Sequence, residues 1–125
     1  MDKQRNGEIV MEFIQYSKCS TCKKAKKFLE DNDIKVERRE IKENPPTIKE
    51  INNWIKKYNI NINKLFNTSG LIYRELKLKD KLDNMSNEEK IELLSKNAML
   101  IKRPLLICND NILIGFKEKE WDKLK

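Results

Sequence analysis

Histidine is absent from the chain, and with it go the commonest general base and the commonest metal ligand. Any proton transfer has to be managed by other groups. Glycine and proline number three each, too few for a low-complexity tract or a long flexible linker, and the composition favours helices. No run approaches the roughly 18–20 uncharged apolar residues of a membrane span, and Met1 to Glu8 has no apolar block of the secretion-signal kind. A cytoplasmic address without a membrane partner is therefore expected. Cysteine is sparse too: three, an odd number, make no disulfide framework of the secreted type. In a reducing compartment they point to catalysis, redox sensing or core packing.

Charge is plentiful. The 125 residues carry 27 Lys and Arg against 20 Asp and Glu, a net +7, with lysines interleaved with acids in segments such as Lys77 to Asp83. A surface that tracks phosphates clusters its cations, prefers arginine and places aromatics between them. This pattern reads instead as solvated helix faces, and no direct nucleic-acid partner is expected. The length fits a single compact domain, 1–125.

Ile9-Val-Met-Glu-Phe-Ile-Gln-Tyr16 is rich in branched and aromatic residues and reads as a buried first strand. From Ser17 the period becomes helical, with Cys22, Ala25, Phe28 and Leu29 on one face, until Asp31-Asn-Asp33 ends the helix. Ile34 to Ile41 alternates as a second strand, with Ile34 and Val36 on one side. This completes a strand-helix-strand unit with parallel pairing. Thr47-Ile-Lys-Glu50 and Ser86-Asn-Glu-Glu89 are capping boxes that open two helices. The first runs to about Tyr58 with Ile48, Ile51, Ile55 and Tyr58 on its apolar face; the second carries Ile91, Leu93 and Leu94. Asn67-Thr-Ser-Gly70 reads as a turn. Leu105 to Cys108 and Ile112 to Gly115 flank Asn109-Asp-Asn111 as an antiparallel hairpin, and a short last helix carries Trp121 and Leu124. The order predicts an α/β fold: a mixed sheet covered by helices, with a helical insertion over about 45–100.

Cys19-Ser-Thr-Cys22 falls where the first strand gives way to a helix. Unpaired N–H groups and the helix dipole there stabilise a thiolate on the first cysteine. Two intervening residues place Cys22 one turn later, close enough to attack a mixed disulfide on Cys19. Half a zinc site is the competing reading of Cys-x-x-Cys. It fails by count: without histidine, only Cys108 remains among the sulfur ligands, so no metal is expected. Arg103-Pro104 precedes the third strand. Its proline reads either as punctuation at a strand start or as a cis peptide that turns its backbone towards a neighbouring site, with Arg103 there to bind an oxyanion or favour a thiolate. Cys108 reads as inert strand packing. Trp54, Trp121, Phe28 and Phe66 suit core or rim packing.

Tyr16-Ser-Lys-Cys-Ser-Thr-Cys-Lys-Lys-Ala-Lys-Lys-Phe-Leu29, Phe66-Asn-Thr-Ser-Gly70, Tyr73-Arg-Glu-Leu-Lys-Leu-Lys-Asp80, Met99-Leu-Ile-Lys-Arg-Pro-Leu105 and Gly115-Phe-Lys-Glu118 together resemble the arsenate reductase-related proteins. That family includes the Spx transcriptional regulators and a branch of small bacterial proteins, which these motifs match best. The resemblance implies a thioredoxin-like fold, a four-stranded mixed sheet flanked by helices with the insertion between strands 2 and 3. It implies a cis-Pro104 facing Cys19, and Arg103 as the family's arginine near the active cysteine. Substrate contacts are then expected from Ser20, Thr21, Arg103 and Pro104. The arsenate-reducing members hold their oxyanion with three arginines and lack a second cysteine in this motif. Here Asn63 to Asn67 carries asparagines where a second arginine is expected, and Phe116-Lys117 stands near the third; lysine supplies charge but no bidentate fork. The resulting expectation is a monomeric thiol-dependent reductase with Cys19 as nucleophile and Cys22 as resolving thiol. It has no bound cofactor, and glutathione or another small thiol, glutaredoxin or thioredoxin is the electron donor. The alternatives are an Spx-like redox-sensing regulator that binds RNA polymerase, and a glutaredoxin- or glutathione-coupled arsenate reductase.

Overall fold

The computed structural model describes residues 3–5 and 8–125, with side chains from Met11 onward. The chain divides into two compact units, Met1–Glu40 with Arg103–Lys125, and Ile41–Lys102.

In the first unit, strand β1 (Lys3–Arg5) pairs antiparallel with the start of β2 (Glu8–Gln15). Lys3-Gln-Arg5 carries no apolar alternation that predicts a strand; main-chain pairing to β2 makes it one. Met1, Asp2, Asn6 and Gly7, part of the Met1 to Glu8 segment read for a secretion signal, lie outside the described residues. Helix α1 (Ser20–Asp31) leads to β3 (Val36–Glu40), which lies parallel to β2 with Met11 opposite Val36 and Gln15 opposite Glu40. On the other edge of β2, β4 (Leu105–Ile107) runs antiparallel with Ile14 opposite Leu105, and β5 (Ile112–Ile114) is antiparallel to β4. β2 to β5 thus form the expected four-stranded mixed sheet. A helical crossover forces parallel pairing between β2 and β3, whereas a short turn forces antiparallel pairing between β4 and β5.

Cys22, Ala25 and Leu29 recur at helical spacing and are the buried residues of α1. Ala25 and Leu29 meet Phe13, Leu106, Leu113 and Trp121 in one core, against which Met11, Phe28, Ile34 and Val36 pack. Trp121, on the short helix α6 (Glu118–Trp121), is its centre. Its indole meets Phe13, Phe28 and Phe116 edge-to-face at centroid separations of 6.3, 6.2 and 5.0 Å, the geometry favoured by ring quadrupoles. Its Nε1 donates to the carbonyl of Gly115 at 3.2 Å. Gly115 has a φ of 74°, where a side chain is strained, and its N–H donates to the Pro104 carbonyl at 2.8 Å. Helix α1 ends as Asn32 Nδ2 and the Asn32 N–H both reach the Phe28 carbonyl, and Asp33 turns the chain with φ 54°. Strand β4 stops at Ile107, so Cys108 stands just beyond it, half-buried beside the core.

The second unit holds α2 (Ile48–Tyr58), α3 (Leu71–Glu75), α4 (Leu78–Lys81) and α5 (Asn87–Lys96), with short 3-10 turns between them. Both capping boxes form: Thr47 Oγ1 accepts from the Glu50 N–H and Ser86 Oγ from the Glu89 N–H, each at 3.1 Å, and each glutamate reaches back to its cap. Ile48 departs from its expected place on the apolar face and is 51% exposed. The buried stripe of α2 centres on Ile51 and Trp54, and at about 100° per residue Ile48 stands about 90° away from it. The Asn67 to Gly70 turn closes with the Gly70 N–H on the Asn67 carbonyl. A Cβ on Gly70 would lie 2.8 Å from Asn67 Nδ2, so any other residue there would have to displace the Asn67 amide.

Candidate active site

Strand β2 ends at Gln15 and α1 begins at Ser20, leaving Tyr16 to Cys19 as the connection. Its path is set by main-chain groups. The Cys19 N–H donates to the Tyr16 carbonyl at 3.0 Å, and the Cys19 carbonyl accepts from Lys23 N–H, the first bond of the helix. Cys19 is the N-cap, with extended φ −87° and ψ 123°, so its sulfur lies where the helix presents unpaired donors. Glu40, paired with Gln15 at the end of β3, sends its carboxylate to the Ser17 N–H at 3.0 Å and braces the connection from the side. No acidic residue occupies the first turn of α1 to oppose a thiolate there.

The two thiols are in different environments. Cys19 is half-buried and Cys22 fully buried. Partial burial pushes the Cys19 thiol up, but the combined effect of the Cys22 N–H, the Cys22 thiol, the Thr21 N–H and the Arg103 charge outweighs it, leaving Cys19 below its ordinary value. Cys22 moves the opposite way. Burial, chiefly, pushes it up to about 12, against the pull of the Tyr16 N–H and Arg103, and the neighbouring Cys19 adds to the rise. The Tyr16 N–H lies 3.5 Å from Cys22 Sγ. Within one dithiol the outer sulfur is therefore the more easily ionised and the inner one keeps its proton. All three cysteines are free thiols.

The Arg103–Pro104 peptide is cis, and Pro104 is buried. Since Leu105 lies opposite Ile14, the antiparallel register carried back two residues places Arg103 level with Tyr16. The Arg103 guanidinium carbon lies 5.4 Å from the centre of the Tyr16 ring, within cation–π range, and its Nε is buried.

Cys19, Cys22, Arg103 and Pro104 thus gather in one unit. Thr21 contributes its backbone N–H, while the side chains of Ser20 and Thr21 are exposed on the first turn of α1. Phe116 is not part of this site: its ring packs on Phe28 and Trp121. Lys117 is exposed and pairs with Glu120 at 3.7 Å. Asn63 takes part in the second unit, accepting from the buried Lys90 ammonium at 2.9 Å. Cys108 is pushed up to about 11 by burial and then by Asp110, an environment that suppresses reactivity. Sequence reasoning passed over Tyr16 and Glu40. Tyr16 lies inside the motif but looks in sequence like a strand end alone, whereas Glu40 carries no local signal at all. Among the described residues no group of three or more Cys, Asp or Glu is placed to hold a metal ion, and no helix is long and apolar enough to cross a membrane.

The ArsC family model matches residues 14–124. YusI of Bacillus subtilis, an uncharacterised protein, is 43% identical over 90% of this chain and 96% of its own length. The global transcriptional regulator Spx of Listeria innocua is 28% identical, spanning 82% of this chain and 76% of the regulator. The crystal structure of a possible arsenate reductase from Streptococcus mutans superposes with a TM-score of 0.81 at 42% identity, over 90% of this chain and 98% of that one. The match takes in β2's end, the dithiol turn, the cis-proline and the last helix: the chain belongs to the ArsC family.

Proposed function

We propose that the protein is a cytoplasmic thiol-dependent reductase in which Cys19 is the nucleophile and Cys22 the resolving thiol. The observation that carries this reading is the opposite displacement of the two thiols, Cys19 down and Cys22 up to about 12, on one turn of helix. The Cys19 thiolate attacks a sulfur of a substrate disulfide, such as a glutathione adduct. A Cys19–substrate disulfide forms as the substrate's S–S bond breaks, and the leaving thiolate takes a proton from water. Arg103 and the N–H groups of Thr21 and Cys22 stabilise negative charge at the reacting sulfur. Consumption of the Cys19 thiolate removes the like charge that helps hold the proton on Cys22, so the resolving thiol becomes easier to ionise only once it is needed. Cys22 then attacks Cys19, releases the second thiol and leaves a Cys19–Cys22 disulfide, the dithiol having given up two electrons. A small thiol, glutaredoxin or thioredoxin returns them. Ser20, Thr21 and Pro104 are the residues assigned to substrate contact in this reading.

Likeness to Spx favours a second reading, in which the same dithiol is a sensor and RNA polymerase the partner. Reduction of arsenate with glutathione or glutaredoxin is a third, weakened by Phe116 and Lys117 being committed to packing and to Glu120. The three separate in a coupled assay of wild type, Cys19→Ser and Cys22→Ser against a glutathionylated peptide and against arsenate, run beside a lysate pull-down under oxidising and reducing conditions. The reductase reading requires turnover of the disulfide substrate that Cys19→Ser abolishes. Stoichiometric redox-dependent capture of polymerase without turnover contradicts it.

A further inference from the structure

We infer that Tyr16 is a positioning residue of the dithiol site: its ring holds the Arg103 guanidinium in place to act on Cys19, while its backbone fixes both thiols. This rests on Arg103 acting on Cys19 as proposed above. Tyr16 touches Cys19, Cys22 and Arg103, each by a different group. Its carbonyl accepts from the Cys19 N–H at 3.0 Å, its N–H points at Cys22 Sγ at 3.5 Å, and its ring faces the Arg103 guanidinium at 5.4 Å. The first two contacts belong to the main chain and survive replacement of the side chain by phenylalanine, leucine or methionine. The third belongs to the ring, so it can be removed alone.

An arginine free to swing spreads its charge over many rotamers; one held against an aromatic face presents it in one direction. Tyr16 directly follows β2 and Arg103 precedes the cis-proline that leads into β4, so the two sides of the site are joined through this pair. The charged or titratable groups that act on Cys19 are Cys22 of the same helix and Arg103. Among charged groups, loss of the ring therefore reaches Cys19 through Arg103. The phenol oxygen has no part in this and phenylalanine should serve as well, since the attraction is to the ring face.

The test is the pH dependence of Cys19 alkylation in Cys108→Ser backgrounds carrying Tyr16→Phe, Tyr16→Leu, Arg103→Ala and the Tyr16→Leu/Arg103→Ala pair, with Tyr16→Met as the substitute should the leucine variant fail to fold. Arg103→Ala should raise the midpoint, and Tyr16→Leu should reproduce most of that rise. A shift of about half a pH unit slows alkylation about threefold well below the midpoint. Tyr16→Phe should match wild type, and the double variant should match Arg103→Ala alone. A midpoint unmoved by Tyr16→Leu but raised by Arg103→Ala overturns the inference and leaves the reductase reading intact, as do additive shifts in the double variant or a Tyr16→Phe shift equal to that of leucine. A midpoint at the ordinary thiol value that Arg103→Ala does not move overturns both.

Discussion

The backbone N–H of Tyr16 points at the Sγ of Cys22 from 3.5 Å, tying the end of the central strand to the inner sulfur of the first helical turn. That contact belongs to a local arrangement in which burial, chiefly, keeps the Cys22 thiol protonated while Cys19, lowered from its ordinary value, is the more readily ionised of the two. Two sulfurs one helical turn apart differ in nucleophilicity because one faces solvent and backbone donors and the other faces the interior.

Alkylation at neutral pH should therefore be confined to Cys19. Iodoacetamide at pH 7, followed by peptide mass mapping, should label Cys19 at least tenfold faster than Cys22 or Cys108, because a lowered value leaves more thiolate at a given pH and the two raised values leave less. Comparable labelling of all three contradicts the assigned environments.

Alkaline stability should fall in a defined window. Cys22 and Cys108 keep their protons in the folded chain up to about 12 and about 11, whereas the unfolded thiols release theirs near ~8.5. Between these limits the folded state binds more protons than the unfolded one. The stability they contribute is full below the unfolded value and is lost as pH rises through the folded ones. Urea titrations at pH 7, 9, 10 and 11 should show this decline, and Cys108→Ala should make it shallower.

Removing the indole at the centre of the core should cost more than any single change at the site. Trp121 is fully buried, meets three other aromatic rings and donates to Gly115. Trp121→Ala should destabilise by about 3–5 kcal/mol, and Trp121→Phe by less, since it retains ring contacts but leaves the Gly115 carbonyl without its donor. Equilibrium denaturation checks both.

Much of this was legible in the residues. Ile9 to Tyr16 followed by helical spacing of Cys22, Ala25 and Leu29 located the strand-to-helix junction, because period two and period 3.6 leave different apolar traces. Thr47-x-x-Glu50 and Ser86-x-x-Glu89 named their own helix starts, since the cap and its partner are three residues apart. The resemblance carried the Arg103–Pro104 peptide from two open readings to the cis form found. What escaped is held by register between distant segments. Glu40 reaches Ser17 only because β3 lies parallel to β2 with Gln15 opposite Glu40, and Tyr16 meets Arg103 only because β4 runs antiparallel beside it. Ile48 failed as a core residue for a smaller reason: about a quarter turn around a helix separates the buried stripe from solvent.

The bond from Glu40 to the connection is a further handle. Glu40→Ala should cost about 0.5–1.5 kcal/mol and slow Cys19 alkylation modestly by loosening Ser17, while Glu40→Gln, which keeps an acceptor oxygen, should cost less on both counts. Thermal unfolding and alkylation rates read the two effects separately.

The division of labour between the two cysteines is tested most directly by trapping. One equivalent of glutathionylated peptide is added to wild type and to Cys22→Ser, and intact mass and peptide mapping follow the products. Cys22→Ser should accumulate a stable mixed disulfide on Cys19, while wild type should pass through it to an internal Cys19–Cys22 disulfide, lighter by the two thiol hydrogens. An adduct on Cys22 or Cys108, or one that persists as long in wild type as in the variant, would contradict the assignment of Cys19 as nucleophile and Cys22 as resolver.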